Sequence, residues 1–114
     1  MHEVGIMESA LDAVRREAQA QHAQRVERIV LRVGAISGVE PESLRFAFDA
    51  LARDTIAAGA RLDIENVPAR VHCRSCAEDF VAARGFIFRC PRCGDFSGEV
   101  RAGRELELSR IEFT

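Results

Sequence analysis

Four cysteines stand in two pairs, Cys73-x2-Cys76 and Cys90-x2-Cys93, with thirteen residues between the pairs. Two residues between cysteines let both thiolates reach one ion from a tight turn. Two such turns brought together give a tetrahedral sulfur set, which suits zinc. Pro91 stiffens the second turn, and Gly94 follows it at a place where positive φ is often needed. The first turn has Ala77 at the matching place and is less ideal. Ligand count alone also admits an iron–sulfur cluster, or a redox dithiol pair, although four closed thiolates protect one another and a redox motif needs only one pair. His72, beside Cys73, is either a polar neighbour or a modulator of the site.

His2 is the second feature with chemical potential. The free amine of Met1, the amide nitrogen of His2 and its imidazole could close fused chelate rings around one ion. Such a nitrogen-rich, near-planar set suits Ni(II) or Cu(II), and Glu3 adds an oxygen donor. A histidine near a terminus is more simply a solvated side chain, so on these residues alone both readings stand. His22 lies in a polar stretch and is given no role.

The elements that must position these groups are legible in the hydrophobic pattern. Ile6, Ala10, Leu11, Val14 and Ala18 recur at helical spacing, and the pattern fades over residues 19–24. Ile29, Leu31 and Val33 alternate with Arg28 and Arg32 as a strand with one wet face; Val30 breaks the alternation, so the outer face is expected to be partly covered. Pro41 suits the first turn of a second helix with Leu44, Ala47, Phe48 and Leu51 as its stripe. Leu62, Ile64 and Val67 form a second strand closed by Pro68. Leu106, Leu108, Ile111 and Phe113 form a last strand whose change of phase at Ser109-Arg110 predicts a bulge.

Between the last two strands lies a segment of different character. It holds all four cysteines and four of the seven phenylalanines, with Phe80, Phe86, Phe88 and Phe96 expected to cluster beside the metal. From Arg70 to Arg104 there are seven arginines against four acids, while the rest carries nine against fourteen. The expected fold is α+β: a three-stranded sheet with two helices, plus an inserted zinc-ribbon-like module. The domain boundaries are 1–68 with 104–114, and 69–103.

With 114 residues and 47% apolar content, the chain can bury a real core. A net charge of −2 argues against a dedicated nucleic-acid binder. All sixteen basic residues are arginine, which reads as genomic base composition rather than chemistry. No apolar run approaches a membrane span and no signal peptide is evident, so a cytoplasmic protein without membrane association is expected. There is no catalytic triad order, phosphate loop or telling carboxylate pair, so an enzyme is not expected. A thiol oxidoreductase and a zinc-ribbon adaptor that binds a protein partner without metal cargo are the rivals to a metal carrier.

The opening Met1-His2-Glu3, the strand Arg28-Ile29-Val30-Leu31-Arg32-Val33-Gly34, the run from Ser37 to Phe48, both cysteine pairs and the ending Leu106-Glu107-Leu108 together resemble the HypA/HybF family. The resemblance covers the whole chain. It implies a nickel metallochaperone for [NiFe]-hydrogenase maturation, and in some bacteria for urease. His2 would be the principal nickel ligand, helped by the Met1 amine, with Glu3 contributing and Glu40 at an acidic position near the site. Cys73, Cys76, Cys90 and Cys93 would be the ligands of a structural zinc. The implied partners are a nickel-binding GTPase, HypB, and the hydrogenase large subunit, with a weak homodimer as a further expectation. Some members carry a histidine beside each cysteine pair; here only His72 is present.

Overall fold

A computed structural model describes residues 2–82 and 88–114. The elements in chain order are α1 (Glu3–Ala20), β1 (Val26–Gly34), α2 (Pro41–Leu51), β2 (Arg61–Val67), β3 (Arg70–Cys73), β4 (Glu78–Val81), β5 (Val100–Ala102) and β6 (Leu106–Phe113). They form two three-stranded sheets, ordered β2-β1-β6 and β4-β3-β5. No described helix is long and apolar enough to cross a membrane.

In the first sheet β1 runs parallel to β2 and antiparallel to β6. Ile29, Leu31 and Val33 turn inward against Met7, Val14 and Ala18 of α1 and Leu44, Ala47 and Phe48 of α2. The buried stripe of α1 is displaced from the predicted one. Met7 is fully buried, whereas Ile6, Ala10 and Leu11 are partly exposed at its flanks. A stripe through positions 7, 14 and 18 keeps helical spacing, and a flexible thioether fills the irregular gap between helix and sheet. The helix stops where His22 adopts φ 52°, with Ala23 N–H donating to Ala18 O and His22 N–H to Gln19 O. Those two bonds satisfy carbonyls that a helix end leaves unpaired.

The expected bulge lies at Ser109. Val30 pairs with Arg110 and Leu31 with Leu108, so Ser109 is the extra residue. Without it Leu108 and Ile111 would point to opposite faces; with it both pack on the core. Val30 lies on the outer face and is nevertheless 4% exposed. Arg28 beside it binds Asp63 at 2.6 Å and Glu112 at 2.9 Å, laying long side chains across the sheet.

The second sheet is antiparallel throughout and occupies the inserted segment. Val71, Cys73, Phe88 and Cys90 are buried there, apart from the main core. The chain measures 54 × 24 × 17 Å, and its radius of gyration of 17.4 Å exceeds the ~13 Å of a compact chain this long. The insert therefore projects from the body.

Both connections to the insert run past the end of β1. Ala35 N–H donates to Val67 O, Ile36 N–H to Gly103 O and Gly34 N–H to Glu105 O. The backbones cross so closely that a Cβ on Gly34 would lie 2.0 Å from Gly103 O and 2.6 Å from Arg104 N. Gly103 has φ +118°, and a Cβ there would meet Ala69 Cα at 2.7 Å. Backbone cannot swing aside as a side chain can. Gly34→Ala is expected to cost more than about 3 kcal/mol in urea unfolding, above the ordinary range for overpacking. Gly98→Ala, with nothing within 4 Å, is its control and should change stability by less than about 0.5 kcal/mol.

Candidate metal centres

The four sulfurs come together at the tip of the insert. All lie within 4.8 Å of one another, with Cys73 Sγ 3.6 Å from Cys93 Sγ and Cys76 Sγ 3.9 Å from Cys90 Sγ. Four sulfurs bound tetrahedrally at 2.3 Å from zinc stand ~3.8 Å apart, so the arrangement fits that ion. None of the four is in a disulfide.

The two turns are built alike. Ala77 (φ 54°) and Gly94 (φ 81°) follow the second cysteine of each pair, both left-handed. Gly94 holds this shape freely, whereas Ala77 carries a cost of about 1 kcal/mol. Gly94 N–H donates to Cys90 O at 2.9 Å, and Arg89 Nε to Gly94 O at 2.9 Å. Ser75 of the first turn donates to Asp95 beyond the second, and Arg92 of the second pairs with Glu78 of β4. Nothing in the spacing of these four residues signalled such cross-ties.

As thiols the four are uneven. The Cys93 N–H, with that of Arg92, lowers Cys90 to about 7, whereas the Cys76 thiol, hydrogen-bonded to Cys93 sulfur and partly buried, is pushed up to about 12. One ready thiolate beside reluctant ones is a site that a dication completes, releasing protons as it does so.

His72 stands outside the sulfur cluster. Its Nδ1 lies 2.7 Å from Asp79 Oδ1, and strand alternation turns it away from Cys73. The expected phenylalanine cluster is only partly formed. Phe88 is buried, Phe80 is half-buried, and Phe96 is 70% exposed beneath the Arg89 guanidinium, 5.6 Å from its ring centroid. An exposed ring can gain more from a guanidinium face than from an insert too small to bury it. Phe86 lies outside the described residues.

At the other end, His2 is the N-cap of α1 and exposed. Its carbonyl accepts from Ile6 N–H at 3.1 Å. The imidazole stands between two open clefts. One, of about 510 Å³, is lined by Ile6, Ala10, Leu31, Leu106 and Leu108; the other, of about 460 Å³, by Glu3, Val4, Glu42, Ser43 and Phe46. Glu3 Oε2 accepts from Glu40 N–H at 3.1 Å, and Glu40 Oε1 caps α2 by accepting from Glu42 N–H at 3.2 Å. The Glu40 N–H holds the Glu3 carboxyl below the usual carboxylate range. The starts of the two helices are thus tied together beside His2. Among the described residues the cysteines alone bring three or more ligand side chains within reach of one ion, so Glu3 and Glu40 do not close a side-chain cage around the imidazole. Met1 lies outside the described residues.

A four-thiol site on a projecting insert, and an exposed histidine opening the first helix of a separate core, are the features of a small metal-handling protein. A family model described as "Hydrogenase/urease nickel incorporation, metallochaperone, hypA" matches residues 1–113. The chain belongs to this HypA family. It is 41% identical over 112 residues to hydrogenase maturation factor HypA of Rhodopseudomonas palustris (strain BisA53), and 43% identical over 112 residues to that of Methylocella silvestris. Each alignment covers 98% of both chains. The solution structure of the Ni metallochaperone HypA from Helicobacter pylori superposes with a TM-score of 0.66 at 22% identity, covering 99% of this chain and 97% of that one. A second solution structure, of a HypA protein, gives 0.67 at 24% identity and bears on the fold alone.

Proposed function

We propose that the chain is a cytoplasmic nickel carrier for [NiFe]-hydrogenase maturation, and where urease is present for that enzyme also. Residues 1–68 and 104–114 form the nickel domain, and 69–103 the zinc domain. His2 and the Met1 amine are the principal nickel ligands. The observation that carries this reading is the exposure of His2 at the N-cap of a helix. The amide N–H of an N-cap residue has no intrahelical acceptor, so the nitrogen of His2 can enter a chelate without breaking the helix. Glu3 and Glu40 contribute negative charge beside it, Glu3 through the carboxylate oxygen that does not bind Glu40 N–H.

The site is suited to release as well as capture. A cation at a helix N-terminus opposes the helix dipole, which limits affinity, and the acids at the starts of α1 and α2 offset that repulsion. Exposure lets a recipient displace ligands one at a time. The nickel-binding GTPase HypB and the hydrogenase large subunit are the proposed partners. Cys73, Cys76, Cys90 and Cys93 hold zinc, which gives structure and is not passed on.

Equilibrium dialysis of tag-free protein tests the reading. One nickel and one zinc per chain are expected, and nickel affinity should fall in acid, because nickel binding releases protons from its nitrogen ligands. Zinc without nickel is the result of an adaptor, and a pH-independent nickel affinity would contradict the terminal chelate.

A further inference from the structure

The four sulfurs differ sharply in access to solvent. Cys73 and Cys90 are 2% and 4% exposed, Cys76 is intermediate, and Cys93 is exposed. Its sulfur is 3.6 Å from Cys73, the shorter of the two sulfur–sulfur contacts. Oxidants select cysteines that combine thiolate character with exposure, and a second sulfur in contact can resolve the product.

We infer that Cys93 is an oxidation site for hydroperoxides and that Cys73 resolves it, so that oxidation opens the cysteine cluster and expels its metal. The inference rests on the assignment of zinc to these four sulfurs, which holds Cys93 as a thiolate. In the first step the Cys93 sulfur attacks one peroxide oxygen. The S–O bond forms, the O–O bond breaks, and the leaving hydroxide or alkoxide takes a proton from water. The Cys73 thiolate then attacks the Cys93 sulfur; the S–S bond forms, the S–O bond breaks, and a second hydroxide departs and is protonated. Two electrons pass from the two sulfurs to the peroxide. Zinc is left with Cys76 and Cys90 and dissociates. Because Cys73 ends β3 and Cys93 belongs to the second turn, the new bond joins the two turns that zinc had joined. A thiol reductant would reverse the change.

The test uses the full, tag-free, zinc-loaded chain. Zinc per chain is measured first; a preparation without zinc overturns the metal assignment, and this step with it. Substoichiometric hydrogen peroxide is then added with dimedone, and the adducts are located by peptide mass spectrometry. Cys93 should carry about tenfold more adduct than any other cysteine. Without dimedone, a Cys73–Cys93 disulfide should form with release of one zinc, seen with a chromophoric chelator, and a phosphine reductant plus zinc should restore the starting state. Adducts spread evenly over the four cysteines, a Cys90–Cys93 bridge, or zinc retained after Cys93 is oxidised would each overturn the inference.

Discussion

His2→Ala should lower nickel affinity by about two orders of magnitude or more, with zinc content unchanged. Even a changed supporting contact can cost 10–100-fold in metal affinity, and this substitution removes a proposed ligand outright. The folding cost should be small, because the side chain is exposed and makes no cap hydrogen bond to α1. Lost nickel with an intact thermal transition would therefore be a site effect rather than an unfolding effect. An extension before Met1 provides an independent arm. It removes the free amine and leaves the imidazole, so it should weaken nickel binding while sparing zinc. Retained nickel affinity in His2→Ala protein, measured by dialysis, would place the cargo site elsewhere.

Cys73→Ser should have the larger effect on structure. Structural zinc contributes ~10–16 kcal/mol in small domains, and the insert has little else to hold it. Among the described residues its buried apolar side chains are few, and its cross-ties are exposed ion pairs of the kind worth about 0–1 kcal/mol each. We expect zinc to be lost, amide protection to collapse over β3, β4 and β5, and protection of Ile29, Leu31 and Val33 to persist, because Met7, Leu44 and Phe48 pack on them independently of the insert. Zinc analysis with hydrogen exchange read residue by residue tests this. Simultaneous loss of protection in both sheets would show that the first depends on the metal.

The main body was legible because its pattern is periodic and one-sided. Leu44, Ala47 and Phe48 recur as a helix requires, and the phase change across Ser109 has no other simple cause in a strand. Met7 escaped because Ile6 competes for the same stripe, and a one-residue rotation of a helix costs little in periodicity. The cysteine turns were readable down to Gly94, since two-residue spacing and positive φ are local requirements. Phe96 was misplaced because an aromatic residue reads as core until the size of the core is known. The tie from Glu3 to Glu40 joins a side chain to a backbone amide 37 positions away, and such a bond leaves no mark in composition.

The crossing of Gly34 and Gly103 bears on how the molecule can be taken apart. Val67 lies opposite Gly34 on one side of β1, and Leu106 opposite Val33 on the other. The two severed ends would stand about two strand spacings, or ~10 Å, apart. A bridge of about four residues could close that gap, given ~3.3 Å per extended residue. The result would be a miniature without the zinc module that keeps Met1 and His2, on which the proposed nickel site could be measured alone. In that miniature the bridge would replace the Gly103-Arg104 crossing, and with a bridge that stands off the Gly34 carbon, alanine at position 34 would become acceptable. Glycine at 34 is thus demanded by the insert's backbone rather than by the strand in which it stands.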